Sequence, residues 1–131
     1  MIVTDASVLI AHLEDGDTHH DDATRLLLDA AGLELGASPL TVAEVLVGPA
    51  RAGRLAQAQA ALDALDVRDI PLGPDAAARL ATLRAQTGLK LPDCCVILAA
   101  ADARAAAVAS FDDRLAHEAR RLGLTVLSRT R

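Results

Sequence analysis

Short runs of β-branched and apolar residues alternate along the chain with longer segments that have helical periodicity. The short runs predict strands at 2–4, 33–37, 67–72, 107–110 and 125–127. The longer segments predict helices at 6–13, 23–31, 39–47, 51–65, 75–87, 91–103 and 112–122. Crossover helices between parallel strands cover both faces of a sheet. The sequence therefore predicts a three-layer α/β/α fold around a short, mostly parallel central sheet.

Length and composition narrow the function classes. The 131 residues of the chain predict one domain, spanning 1–131. The formal net charge of −5 argues against a protein that coats nucleic acid through bulk positive charge. It remains compatible with an enzyme that holds metal ions through carboxylates. With one Phe and no Tyr or Trp, the chain lacks the aromatic side chains on which nucleic-acid bases stack.

The sequence predicts a soluble protein of a reducing cytoplasm, with no membrane contact. The N-terminus shows no basic segment followed by an apolar one, and no apolar run reaches the length of a transmembrane helix. Cys94 and Cys95 are adjacent, which is a poor geometry for a disulfide. We expect both to be small apolar thiols inside a buried helix.

Four acidic residues fall at positions where chemistry is expected. Asp5 directly follows the first strand and Asp112 follows the strand at 107–110, so both lie at the same edge of the predicted sheet. Glu44 lies within an apolar helix, and Asp93 begins the most apolar helix of the chain. Because buried carboxylates need a compensating partner, the group suggests a shared hard cation, Mg²⁺ or Mn²⁺.

Each acid also has an ordinary structural interpretation. Asp5 and Asp112 precede helices, where Asp commonly caps the first turn. Asp93 follows Pro92, where a negative charge interacts favourably with the helix dipole. Glu44 can simply face solvent. Taken singly, none of the four residues identifies a site; their combination does.

Four segments, in order along the chain, resemble the motifs of PIN-domain ribonucleases. Residues 2–10 resemble the first strand with its Asp-x-Ser motif, and 41–48 resemble the segment with an acid four residues before a glycine. Residues 88–93 resemble the third acidic motif, and 110–112 resemble the last, which is Thr or Ser, any residue, then Asp. Within the family, the pattern is most similar to VapC-type toxins of type II toxin–antitoxin pairs.

The resemblance implies a PIN-like fold and a metal-dependent endoribonuclease that hydrolyses RNA. It implies a homodimer and a cognate antitoxin protein that holds the toxin inactive. Mg²⁺ or Mn²⁺ would be bound by residues that are also catalytic, and two serines would orient the carboxylates or a metal-bound water. Those residues are Asp5, Glu44, Asp93 and Asp112, with Ser7 and Ser110 as the serines. Asp113 follows the last acid, and the register with Ser110 favours Asp112.

Two other functions are considered. The first is a catalytically inactive PIN-like module that binds protein, although all four acids are present. The second is a receiver-like phosphoacceptor domain, which needs paired acids after the first strand and a Lys after the last strand. Here Asp5 stands alone, and no lysine follows Lys90. A mean hydropathy of +0.28 suggests apolar surface left for a partner.

Several basic and histidine residues have open roles. Lys90, the single lysine, can contact phosphate or face solvent. The same two alternatives hold for the pairs Arg79–Arg84 and Arg51–Arg54, and for Arg129 and Arg131 at the C-terminus. His19-His20 is more consistent with an ordinary helix start than with a metal site, because adjacent helical side chains do not face each other.

Overall fold

The computed structural model describes residues 1–128, in which strands and helices alternate largely as predicted. The strands are β1 (Ile2–Thr4), β2 (Leu35–Ala37), β3 (Val67–Asp69), β4 (Ala107–Ala109) and β5 (Val126–Leu127). The helices are α1 (Ala6–Leu13), α2 (His20–Asp29), α3 (Pro39–Arg51), α4 (Leu55–Ala64), α5 (Ala76–Thr87), α6 (Leu91–Asp102) and α7 (Asp113–Arg121). Arg129 and Arg131 lie outside the described residues.

The five strands form one sheet in the order β3-β2-β1-β4-β5. Every neighbouring pair is parallel, so within the described residues the sheet is entirely rather than mostly parallel. A receiver-like module has the strand order 2-1-3-4-5, whereas this sheet has the order 3-2-1-4-5. The receiver-like alternative is therefore wrong.

The side-chain alternation of the two central strands builds the three layers. Successive residues of a strand point to opposite faces of its sheet. Ile2 and Ala107 belong to the core cluster formed with α1 and α2. Val3 and Val108 belong to the cluster on the other face, formed mainly with α6 and α7. This arrangement confirms the predicted α/β/α fold.

Helix α3 extends beyond its predicted end at residue 47. Gly and Pro ordinarily end a helix, but Pro49 lies inside α3 and is buried. Later amides satisfy the carbonyls of the last turn: Ala52 donates to Gly48 and Arg54 donates to Pro49. Burial and these bonds offset the loss of the proline N–H. The break falls instead at Gly53, whose φ of +72° ends the turn, so α4 begins four residues later than predicted.

Other predictions for the helices hold or shift slightly. Helix α2 begins at His20 and ends at Asp29, earlier at both ends than predicted. Cys94 and Cys95 are both buried free thiols in α6, as expected. Within residues 1–128, no helix has the length and apolar character needed to cross a membrane.

Candidate active site

Asp5 occupies the carboxyl end of β1, at the centre of the sheet. Its backbone N–H donates to the Ala109 carbonyl at 3.0 Å, which continues the pairing with β4. Its side chain is only 4% exposed. The Oδ1 atom accepts the Val8 N–H at 3.2 Å and thereby caps α1. The capping role considered for Asp5 is therefore observed.

Two serines hold the Asp5 carboxylate, Ser7 from the first turn of α1 and Ser110 from the position directly after β4. The Ser7 hydroxyl donates to Oδ1 at 2.6 Å, and the Ser110 hydroxyl donates to Oδ2 at 2.5 Å. The same hydroxyls accept backbone N–H groups, from Phe111 to Ser7 and from Asp112 to Ser110, each at 3.0 Å. The serines therefore fix the orientation of Asp5 and the path of the chain after β4. Hydrogen bonds from both serines to an acidic site residue are what the family resemblance implies. No sequence pattern predicts the bonds that the two hydroxyls accept from the backbone.

The other three acids surround this position from different helices. Asp112 caps α7 by accepting the Leu115 N–H at 3.0 Å, and it is otherwise exposed. Asp93 lies in the first turn of α6 and is partly buried. Glu44 is exposed on α3. The structural interpretations of the four acids are thus all compatible with their positions.

Electrostatic coupling shows that the four carboxylates are neighbours. Burial and the charges of three other acids raise the pKa of Asp93 from 3.8 to about 6; these acids are Asp112, Asp5 and Glu44. Desolvation and the charge of Asp5 raise the pKa of Glu44. Lys90 lowers the pKa of both Glu44 and Asp93, which places one cation beside the group. The fold therefore places the four predicted site residues within electrostatic range of one another.

Burial also raises the pKa of Asp5, with a smaller contribution from the charge of Asp112. The hydrogen bonds from the two serines and Val8 act in the opposite direction, because they favour the charged form. Among residues 1–128, the Asp5 carboxylate has no positively charged partner in an ion pair. A cation would supply one.

The four carboxylates are suitable ligands for a hard divalent cation, but they do not form a complete coordination shell. Four carboxylates provide only oxygen ligands, which Mg²⁺ and Mn²⁺ prefer. Among residues 1–128, no three side chains of His, Cys, Asp and Glu are arranged closely enough to hold an ion. Mutual repulsion keeps uncompensated carboxylates apart.

The histidines near this edge have other contacts. The His20 ring stacks on His12 with 6.3 Å between centroids, and its Nδ1 lies 2.8 Å from the Ala11 carbonyl oxygen. The His19 ring lies 5.4 Å from that of Phe111. The adjacent pair therefore does not converge on one point, in agreement with the helix-start interpretation.

Comparison with known proteins identifies the family. A profile described as PIN domain matches residues 2–121. The chain belongs to the PIN domain family. The match contains the positions of all four acids and both serines. A search of curated proteins found no match to the chain. The predicted resemblance to PIN domains is thereby confirmed.

Solved structures with the same fold include PIN proteins of toxin–antitoxin systems. A toxin–antitoxin complex from Klebsiella pneumoniae is 26% identical with a TM-score of 0.70, covering 86% of this chain and 87% of that chain. VapC20 from Mycobacterium tuberculosis, a sarcin–ricin loop cleaving toxin, is 17% identical with a TM-score of 0.76, covering 90% and 95%. VapBC2 from Rickettsia felis, bound to a promoter DNA fragment, is 18% identical with a TM-score of 0.71, covering 99% and 100%.

Proposed function

We propose that this PIN domain is a metal-dependent endoribonuclease and the toxin component of a toxin–antitoxin pair. Residues 1–131 would form one domain, with Asp5, Glu44, Asp93 and Asp112 as catalytic, metal-binding residues. The observation that carries the proposal is the nearly buried Asp5 carboxylate at the carboxyl end of the central strand, which Ser7 and Ser110 hold in one orientation. The toxin–antitoxin complex that is 26% identical adds support for the biological role.

The chain contributes orientation and negative charge at defined atoms. The Asp5 carboxylate accepts three hydrogen bonds out of about four lone-pair sites, which leaves a position on Oδ2 for a cation. Asp93 in α6 and Glu44 in α3 contribute further negative charge. Bound Mg²⁺ or Mn²⁺ would supply an activated water and stabilise charge on the phosphate. Ser7 and Ser110 then act by holding Asp5 in one orientation.

The proposal predicts RNA cleavage by the purified protein when Mg²⁺ or Mn²⁺ is supplied, and none when EDTA is present. Cleavage should return when the cation is added back in excess of the chelator. An Asp5→Asn variant, with its fold verified by circular dichroism, should not cleave. Absence of cleavage with every cation, in a folded wild-type protein, would contradict the proposed activity.

A catalytically inactive PIN module is the second candidate. The observation in its favour is that Asp5 and Asp112 both serve as helix caps, so each already has a structural function. Such a module would keep its fold and bind a partner but would not cleave RNA under any condition. The same assay therefore separates the two functions.

We also propose a cognate antitoxin, a homodimer and a cytoplasmic location. An open groove of about 610 Å³ runs along α3, the helix that carries Glu44, and is lined by apolar residues that include Val42, Leu46 and Leu62, together with Asp63 and Asp69. An antitoxin segment in this groove would reach the carboxylates with a basic side chain. A complex that leaves the groove empty would contradict this placement. A stable monomer in sedimentation would contradict the dimer.

A further inference from the structure

Three arginines from two helices converge on the last turn of α5 and the loop that follows it. Arg84 donates to the Leu89 carbonyl at 3.0 Å, and Arg114 donates to the Gly88 carbonyl at 3.1 Å. Arg121 donates to the Gln86 carbonyl at 3.4 Å. Because 30 residues separate the first two arginines in sequence, the sequence gives no sign of this convergence.

Gly88 allows the close approach of Arg114. Its φ of +71° lies in the left-handed region, and a Cβ atom there would stand 3.0 Å from the nearer guanidinium nitrogen. A side chain at this position would strain the backbone and crowd the guanidinium. The loop is therefore built to hold Arg114 against its carbonyl.

Three cations at or beside this loop form no salt bridge in the described part of the chain. Among the ion pairs of residues 1–128, none includes Arg84, Lys90 or Arg114. Arg121 differs, because its Nε lies 2.7 Å from Glu118. Each guanidinium has five N–H donors, so one bond to a carbonyl leaves donors for another ligand. We call Arg84, Lys90 and Arg114 the basic surface.

The basic surface borders the acidic site. Lys90 lies three residues before Asp93, and its charge acts on that carboxyl group. Arg114 lies two residues after Asp112, in the first turn of α7. The basic surface therefore lies next to the four carboxylates. A polyanion would be attracted by the basic surface and repelled by the four acids.

We propose that Arg84, Lys90 and Arg114 bind the phosphates of an RNA strand beside the scissile position. This inference rests on the proposed function. A chain of net charge −5 repels RNA as a whole, so a local cationic surface is needed to hold the strand. Guanidinium groups bind phosphate through paired N–H donors, and such contacts position the strand without reading its bases.

The test is the affinity of a fluorescein-labelled oligouridine in EDTA, measured by fluorescence anisotropy over about 50 to 200 mM salt. We expect the Arg84→Gln, Arg114→Gln double variant to bind about tenfold more weakly at the lower salt. The slope of log affinity against log salt should fall by about 1.4, because two single-strand phosphate contacts are lost. The Arg84→Lys, Arg114→Lys variant should restore most of the affinity.

Two single variants complete the experiment, one as a further test of the basic surface and one as a control. Lys90 makes no side-chain hydrogen bond within the described residues, so Lys90→Gln should fold normally and reduce the slope by about 0.7. Arg104→Gln removes the same charge at the opposite edge of the sheet, after the end of α6, and should leave the affinity unchanged. Thermal unfolding verifies that each variant is folded.

Unchanged affinity in the double Gln variant and in Lys90→Gln would overturn the proposal. An equal loss in the double Lys variant would also overturn it, because the arginines would then only brace the loop. Binding of polyglutamate in place of oligouridine, with the same arginine dependence, would assign the surface to an acidic protein and overturn the RNA assignment. If the wild type binds oligouridine and the variants lose affinity as expected, but no metal-dependent cleavage is seen, the result would support the basic surface and contradict the proposed nuclease.

Discussion

The Asp93→Asn variant is expected to lose RNA cleavage and, without metal, to be more stable than the wild type at neutral pH. Cleavage should fall by about a hundredfold or more, because a ligand of the proposed cation is removed and charge stabilisation is worth several kcal/mol. Stability should rise because partial burial and the charges of three other acids both disfavour the charged form of this carboxyl group. The partly exposed side chain limits this gain to about 1 kcal/mol.

The stability gain should depend on pH in a defined direction. The pKa of Asp93 is about 6 in the folded state, compared with 3.8 as its usual value. Above pH 6 the carboxyl group is charged in both folded and unfolded chains, so the full destabilisation of the wild type is present. Between about pH 6 and 4 the folded state takes up the proton first, and the wild type regains stability. Chemical denaturation in EDTA across this range measures the difference between the two proteins.

Asp113→Asn is the matched control for this prediction. It changes the same type of group at the start of α7, one residue from Asp112. The acids that raise the pKa of Asp93 include Asp112 and not Asp113. We expect Asp113→Asn to keep cleavage close to the wild-type rate. Full activity in Asp93→Asn, or equal loss in Asp113→Asn, would show that the acids are wrongly assigned.

Ser110→Ala is expected to reduce both stability and cleavage. The Ser110 side chain is fully buried and joins the Asp5 carboxylate to the Asp112 N–H. Its removal leaves a nearly buried charge with one donor fewer, at a cost of about 1–3 kcal/mol in the free energy of unfolding. Cleavage should fall by about 10–100-fold, as for other residues that orient a metal ligand. Denaturant unfolding and cleavage rates measure the two effects.

Ser110→Thr separates positioning from packing. It keeps the hydroxyl group but adds a methyl group at a fully buried position, so it tests packing with the hydrogen bond retained. We expect cleavage near the wild-type rate even if stability falls. Loss of cleavage in Ser110→Ala without recovery in Ser110→Thr would mean that the residue acts only through packing.

The layers of this fold and the place of Asp5 follow from local signals in the sequence. Strand β1 is a β-branched run, and Asp5 comes directly after it, so its place at the sheet edge follows from parallel topology. Ser38 before Pro39 predicts the start of α3, and Gly88 predicts the end of α5. Family resemblance then connects the four acids, which local patterns alone would leave as caps or exposed residues.

Long-range packing accounts for what the sequence did not show. Pro49 is a helix-ending signal, yet its burial and the amides that follow it keep α3 intact past that position. The hydrogen bond from Phe111 to Ser7 joins residues 104 apart, and no spacing predicts it. Likewise, Arg84 and Arg114 meet only because α5 and α7 both approach one loop.

The most direct test of the central claim is calorimetric titration of Mn²⁺ into the metal-free protein and its acid variants. We expect saturable binding to the wild type, at least about tenfold weaker binding to Asp5→Asn and Asp93→Asn, and unchanged binding to Asp113→Asn. A folded wild type that binds no Mn²⁺ would contradict the claim that the four carboxylates act as one metal site. So would equal binding by all four proteins.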